Sequence, residues 1–353
     1  MRLLWVLPLL VEAQNKSFLH RCALGCDCQE ELKQANCARG LLRHLPGPLP
    51  PLTEHLDLSQ NQLSHLPRRA FLSTRRLKTL LLNDNNISSV ADGAFSPLES
   101  LLKLDLSRNR VAALGAGFTL GLGSLRELAL AENRLTALRS HGFQHLDGLL
   151  RLNLSHNAIG QVQVRAFGCM STLRQLDLEG NRLRALGSGV FTMLKSLEVL
   201  RLQGNNISHI DIGVFTPLTS LALLNLACNQ LSKIHFKTFL SLHTYSTHIL
   251  LEDNPWHCDC DLQRVFRKLG SVRRLFLDDY SNLSCAEPPE LRGYQLMEVD
   301  AELCIAETVT VLIITVTVLI TVVAAILMAE RKRKSRKKEK HWTDGASQMS
   351  YDS

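Results

Sequence analysis

Asn61, Asn85, Asn109, Asn133, Asn157, Asn181, Asn205 and Asn229 follow one another at intervals of 24 residues, each within the same frame of leucines. A repeat of that length points away from a single closed core, because each unit is too small to bury its own apolar face and must stack on its neighbours. The frame reads Leu56-x-Leu58-x-x-Asn61-x-Leu63, then Leu80-x-Leu82-x-x-Asn85-x-Ile87, and persists through Leu224-x-Leu226-x-x-Asn229-x-Leu231. Side chains alternate along a strand, so two leucines one residue apart enter one core while the residue between them faces out. The asparagine has donors and an acceptor, and suits a turn where the backbone of adjoining coils needs partners. A second marker keeps the same period: Phe71, Phe95, Phe118, Phe143, Phe167, Phe191, Phe215 and Phe239, with only Phe118 one residue early. These predict a buried spine that carries no chemistry.

The fold expected is a repeat solenoid, with a curved parallel sheet on the concave side and irregular or 3-10 backbone on the convex side. The ends of such an array need covers. At the front, Cys22, Cys26, Cys28 and Cys37 precede Leu41, Leu45-Pro46 and Leu49-Pro50. At the back, Asn254-Pro255-Trp256-His257-Cys258-Asp259-Cys260 arrives one residue later than the 24-residue step, and Cys285 and Cys304 follow. Leu262, Val265, Phe266 and Leu269 fall on one face of a helix, which is expected to cover the open end of the core. The Cys26/Cys28 and Cys258/Cys260 pairs would suit zinc in a reducing compartment; in an oxidising one they read as disulfide cysteines. No cofactor is expected, since HExxH, GxSxG and GxxxxGK[ST] are all missing, and His243 and His248 have no carboxylate or cysteine at ligand spacing. Cys169 and Cys228 are expected to be small buried thiols, an intermolecular bond being the sharper alternative.

Compartment follows from the two apolar segments. Leu3 to Val11 reads as the core of a secretory signal peptide over residues 1–13. Thr308 to Ala329 gives 22 uncharged residues, enough for one transmembrane helix. The run Glu330-Arg331-Lys332-Arg333-Lys334-Ser335-Arg336-Lys337-Lys338-Glu339-Lys340 holds its far end in the cytosol by the positive-inside bias. The expectation is a single-pass type I protein of the plasma membrane with a tail over residues 330–353. That tail contains 8 of the 40 Lys and Arg and 4 of the 33 Asp and Glu. Without it and the signal peptide, 31 basic residues stand against 28 acidic ones, so the ectodomain is close to neutral and no nucleic-acid partner is indicated. Five N-x-Ser sequons, at Asn15, Asn86, Asn153, Asn206 and Asn282, all lie on the lumenal side and predict glycosylation there. Asn153 sits between Leu152 and Leu154, so a glycan on it would stand on the concave face.

On these residues the chain resembles the extracellular leucine-rich repeat proteins with cysteine-rich N- and C-terminal caps, the kind that includes Slit, the Nogo receptor and trophoblast glycoprotein. The resemblance covers residues 22–304, with caps at 22–50 and 254–304 and repeats at 51–253. It implies that the cap cysteines pair first with third and second with fourth: Cys22 with Cys28, Cys26 with Cys37, Cys258 with Cys285, and Cys260 with Cys304. Spacing alone leaves three pairings open in each cap. One departure is Ala23, where such front caps carry proline. The resemblance implies a cell-surface protein that binds another protein in recognition, adhesion or reception, and no enzyme. The gamma subunits of large-conductance potassium channels are also similar, having capped repeats in a shorter array, one membrane helix and a basic cytosolic stretch. They imply the alternative of an auxiliary subunit with a membrane-protein partner. On that reading the small-residue stripe Thr317, Thr321, Ala325 and Ala329 packs on another helix, and Arg331 to Lys340 attract anionic lipids.

The outward positions of the sheet are those six and four residues before each asparagine: His55 and Asp57, Thr79 and Leu81, Lys103 and Asp105, Glu127 and Ala129, Arg151 and Asn153, Gln175 and Asp177, Val199 and Arg201, Leu223 and Asn225. Charge of both signs fills the centre, while Leu81 near the front and Val199, Leu223 and Leu250 towards the back are apolar. An interface needs an apolar anchor ringed by polar groups. Asp177, Val199, Arg201, Leu223 and Asn225 meet that description best and are the candidate protein-binding residues. The bland alternative is a solvated sheet with a few tolerated aliphatics.

Overall fold

The computed structural model describes residues 22–299 apart from Pro48 and His141, and the helix backbone over 301–348. Residues 1–13, where a signal peptide is expected, and Asn15 lie outside the described residues. Twelve short strands form one sheet. In chain order they are β1 (Asp27–Gln29), β2 (Gln34–Asn36), β3 (His55–Asp57), β4 (Thr79–Leu81), β5 (Lys103–Asp105), β6 (Glu127–Ala129), β7 (Arg151–Asn153), β8 (Gln175–Asp177), β9 (Val199–Arg201), β10 (Leu223–Asn225), β11 (Thr247–Leu250) and β12 (Leu275–Leu277). β1 pairs with β2 antiparallel, and every later pairing is parallel between successive strands, Leu80 on Leu104 and Leu104 on Leu128, as the period demands. The solenoid thus extends beyond the eight regular coils: β2 comes from the front cap, and β11 and β12 continue the sheet at the back.

The leucine frame forms the core. Leu56, Leu58, Leu80, Leu82, Leu104 and Leu106 are all buried, as are their counterparts along the array. The asparagines stitch one coil to the next. The Oδ1 of Asn109 accepts from the N–H of Ile87 at 2.9 Å, and its Nδ2 donates to the carbonyls of Leu82 and Leu106 at 2.9 and 3.0 Å. Asn133, Asn157, Asn181, Asn205 and Asn229 repeat this set. The ladder gains a ninth rung at Asn254, which accepts from Leu231 at 3.0 Å and donates to Leu226 and Leu251. One further residue in that coil delays the asparagine without breaking the ladder. Beyond it, the buried Asp279 carboxylate accepts from the N–H groups of Leu251 and Glu252, supplying acceptors at the end of the array.

On the far side of the coils the phenylalanines form a buried spine, with ring centroids of Phe71 and Phe95 at 6.0 Å and of Phe143 and Phe167 at 6.3 Å. Turns dominate the convex side, together with two-residue parallel pairs such as Ala137–Leu138 with Gln161–Val162. The 3-10 turns among the described residues, Tyr280–Asn282 and Pro289–Leu291, lie in the C-terminal cap.

Two helices follow the eighth regular coil: α1 (Phe236–Leu240) and α2 (Cys260–Gly270). Asp259 caps α2 by accepting from the N–H of Leu262 at 2.8 Å. Leu262, Phe266 and Leu269 are buried, Phe266 lying edge-on to Trp256 at 5.5 Å, whereas Val265 is only half-buried and Gln263 takes the fourth buried place. Disulfides join Cys22 to Cys28, Cys26 to Cys37 and Cys258 to Cys285. Cys260 is also disulfide-bonded; the side chain of Cys304 lies outside the described residues.

A separate unit, residues 298–353, contains α3 (Ala301–Gln348). Its stretch Val309–Lys334 is 26 residues long and contains an 18-residue segment of mean hydropathy 3.0, long and apolar enough to cross a membrane. Thr317 and Thr321 donate their hydroxyls to the carbonyls of Ile314 and Val318 in the same helix, so two members of the small-residue stripe already have partners.

Candidate functional site

The middle residue of each strand from β3 to β10 is buried and its flanks reach solvent, which makes the inner face a grid of side chains. The structure brings the five candidates together on β8, β9 and β10. Val199 lies beside Leu223 in one row, and Asp177, Arg201 and Asn225 lie side by side in the other. All five are half-buried. Two of them also have a task in the backbone. The Oδ1 of Asp177 accepts from the N–H of Glu179, and that of Asn225 from the N–H of Ala227, both at 3.0 Å. Asp57, Asp105 and Asn153 make the same bond two residues ahead. A short acidic or amide side chain at this position therefore closes the turn off the strand, whatever else it touches.

The structure also extends the patch. In register with Leu223 stands His248, and in register with His248 stands Phe276. Phe276 is 44 % exposed, its ring stacks on that of His248 at 5.1 Å, and His248 Nδ1 lies 2.9 Å from Asp278 Oδ2. The row Val199, Leu223, His248, Phe276 thus crosses four adjacent strands. Sequence periodicity misses its last member, because β12 follows β11 after an inserted helix and outside the 24-residue step. The alternating Leu275-Phe276-Leu277 was the available signal, with one leucine buried and the phenylalanine facing out.

Charge is handled differently along the face. Towards the front, Lys33 and Lys78 bridge Glu54 at 2.6 and 2.5 Å and hold its carboxyl down to about 2. Arg108 bonds Asp84, and that contact lowers the Asp84 carboxyl. At the centre, Glu127 pairs with Arg151 and with Lys103, over a shallow hollow of about 250 Å³ that reaches Asp177 and Arg201. At the back rim the partners are neutral: Gln203 donates to Glu179 at 2.5 Å, Asn282 to Glu252 at 3.4 Å, and the Cys228 thiol to Asp253 at 3.5 Å.

Cys228 is free and exposed, and Cys169 is free and half-buried, which corrects the expectation of two buried thiols. Cys228 immediately precedes the ladder residue Asn229 and has φ 53°, in the left-handed region. Gln60, Asp84, Arg108, Glu132, His156, Gly180, Gly204 and Asp253 occupy the same place before their asparagines with φ between 53° and 67°. That turn aims Asn229 inward and leaves the thiol on the rim. Burial first, and then the Asp253 carboxylate, push the thiol up from its ordinary range. Among the sequons, Asn86, Asn206 and Asn282 are exposed and Asn153 is half-buried within its turn. Among the described residues no group of three or more His, Cys, Asp or Glu is placed to hold a metal.

The sequence pattern of the leucine rich repeat family matches residues 51–111, 123–183, 173–231 and 195–255. The chain belongs to that family. Leucine-rich repeat relatives include human chondroadherin-like protein, 35% identical over 97 residues (26% of this chain, 13% of that protein). Leucine-rich repeat-containing protein 3B of Danio rerio is 33% identical over 79 residues (21% and 31%), and human amphoterin-induced protein 1 is 37% identical over 79 residues (22% and 15%). The matches therefore span less than a third of each of these relatives. The structure of human 5T4, trophoblast glycoprotein, superposes with TM-score 0.59 at 27% identity, covering 80% of this chain and 99% of that one. A chain of the octameric complex of Latrophilin 3, Unc5D and FLRT2 superposes with TM-score 0.58 at 23% identity, covering 79% and 98%, and shares the fold. Leucine-rich repeat proteins of the cell-surface and receptor type are thus its company, and its apolar helix fits a single-pass membrane protein.

Proposed function

We propose that the chain is a recognition protein of the plasma membrane whose leucine-rich repeat ectodomain binds a protein ligand through the back half of its inner face. Residues 1–13 act as the signal peptide, 22–50 and 254–304 as caps, 51–253 as the repeat array, 308–329 as the membrane span and 330–353 as the cytosolic tail. The observation that carries the reading is the row Val199, Leu223, His248 and Phe276, an apolar and aromatic strip in a face whose other outward positions are mostly polar or charged. Interfaces concentrate their energy in such anchors, with polar groups around them excluding water. Arg201, Asp177 and Asn225 supply the polar flank, and Leu250 lies beside Asn225. One structural relative is a chain of a multi-protein complex, which supports a protein partner here too.

The test has two steps. Proximity labelling on intact cells identifies the proteins beside the ectodomain, and the binding of each is then measured to the wild type and to the charge-neutral variant Leu223→Ser with Phe276→Ser. Both side chains face out of the sheet, so the variant should reach the surface normally and fail to bind. Unchanged binding of every labelled partner would overturn the placement of the site.

A further inference from the structure

We infer that the partner is cationic at this site: a protein segment carrying Lys or Arg side chains beside an apolar or aromatic anchor. The inference rests on the reading of the back half of the inner face as a protein-binding surface, and adds the chemistry of what it takes. Val199 to Phe276 covers three strand spacings, roughly 14 Å, enough for a few residues of a partner. Carboxylates flank this row. Over β8 to β12, the residue before each strand and the turn after it, the surface carboxylates Asp177, Glu179, Glu198, Glu252, Asp253 and Asp278 stand against three guanidinium groups. All three are already engaged: Arg174 with Glu198 at 3.1 Å, Arg201 with Asp177 at 3.9 Å, and Arg274 with the carbonyls of Leu242 and Leu240 at 3.0 and 3.1 Å.

The remaining four have no Lys or Arg beside them in the described contacts. Glu179 meets Gln203 and, at 3.9 Å, the ring of His156; Glu252 meets Asn282, Asp253 meets Cys228, and Asp278 meets His248. Three of them converge, since Asp253, Glu252 and Glu179 all act on the Cys228 thiol and disfavour its ionisation. Gly204 adds no side chain to the rim beside them, while the His156 ring packs over Gly180. Contrast the front, where Glu54, Asp84 and Glu127 each hold Lys or Arg. Uncompensated carboxylates beside an apolar row repel an acidic partner and steer a basic one, so the apolar strip gives the contact and the rim selects its charge.

The full chain in nanodiscs of zwitterionic phosphatidylcholine is titrated with labelled synthetic peptides of equal length, alternating Lys with Phe, Glu with Phe, Ser with Phe, and Lys with Ser. The Lys-Phe peptide should bind about tenfold tighter than the other three. That preference should disappear in Glu179→Gln with Glu252→Gln and Asp253→Asn, weaken in Phe276→Ser, and persist in Glu132→Gln at the front. Unfolding curves matching the wild type confirm that the variants fold. If Ser-Phe or Glu-Phe binds as tightly as Lys-Phe and Leu223→Ser still abolishes it, the cationic partner is wrong and the surface stands. Lys-Phe binding that survives Leu223→Ser, Phe276→Ser and the triple variant overturns both. Failure of the Lys-Phe peptide to bind saturably at low salt overturns the inference.

Discussion

From β3 to β7 the inner face bridges Glu54, Asp84 and Glu127 with Lys or Arg and leaves Asp57 and Asp105 to backbone N–H groups, whereas from β8 to β12 it sets unbridged carboxylates beside an apolar row. The scaffold under the two regions is the same. Asn85 and Asn205 each accept from a leucine N–H in the preceding coil at 3.0 Å and donate to that coil's carbonyl at 2.9 Å. Because the ladder and the leucines fix the backbone from inside, the outward positions are free to diverge, and function is written there. A self-neutralised surface gains little from a charged partner. A surface with open valences of both kinds, apolar and anionic, has more to gain.

The largest effect expected is on binding. Leu223→Ser with Phe276→Ser, which removes the apolar anchor without changing the charge, should cost about 3 kcal/mol or more, roughly a hundredfold in affinity for a partner captured from cells. Lys103→Gln with Glu127→Gln, the matching pair of changes towards the front, should leave affinity unchanged in the same titration. Equal losses in both variants would break the division of the face into two regions. Next comes stability. Asn85→Ala and Asn205→Ala each leave a buried leucine N–H without its acceptor, at a cost of about 1–3 kcal/mol for that group. Chemical denaturation of the two variants should give equal losses, front and back, if the scaffold is as uniform as its bonds indicate. Unequal losses would place part of the difference in the backbone.

Much of this scaffold was legible in the sequence, for a physical reason: a stack of identical coils must repeat its core residues, so Leu56, Asn61 and Phe71 announce themselves through their counterparts. The site was legible in part. Val199 and Leu223 stood out because they break a polar pattern within the repeat. Phe276 did not, because the chain gains one residue in the β11 coil and inserts α2 before β12, so its register with His248 exists only in three dimensions. Asp177 and Asn225 were chosen for their exposure, yet each also closes its own turn, a local bond invisible to counting outward positions. Cys228 was misplaced for a related reason. Cysteine is most often buried, but the left-handed residue before a ladder asparagine turns its side chain to the rim.

Glu54 gives a smaller test at the front. Its carboxyl is held down to about 2 by Lys33 and Lys78, below an ordinary value near 4.5. A depressed carboxyl contributes stability above its unfolded value, and that contribution disappears as pH falls towards the folded one. Glu54→Gln should therefore remove a modest dependence of unfolding on pH in that window, most visibly at low salt, because the lysines are largely exposed. Lys33→Gln with Lys78→Gln should remove the same dependence, since those two ammonium groups hold the carboxyl down. A dependence that persisted without them would take the lysines out of the front's charge balance.

The smallest effect separates strain from charge at a single backbone position. A residue with a side chain loses about 1 kcal/mol in the left-handed region, and glycine does not. Gly180 and Gly204 occupy that place in the back half, while Cys228 follows them with φ 53° and a thiol whose contact with Asp253 is long. Replacing Cys228 by glycine should therefore raise stability by a few tenths of a kcal/mol up to about 1 in denaturant titrations, with no loss of binding. Arg108 has the same φ of 53° but bridges Asp84 through two guanidinium nitrogens. Arg108→Gly gives up that bridge as it relieves the backbone, so its net change should be near zero or unfavourable. If the two glycine variants behaved alike, the front rim's ion pairs would contribute nothing, and the contrast between the two regions would reduce to the apolar row.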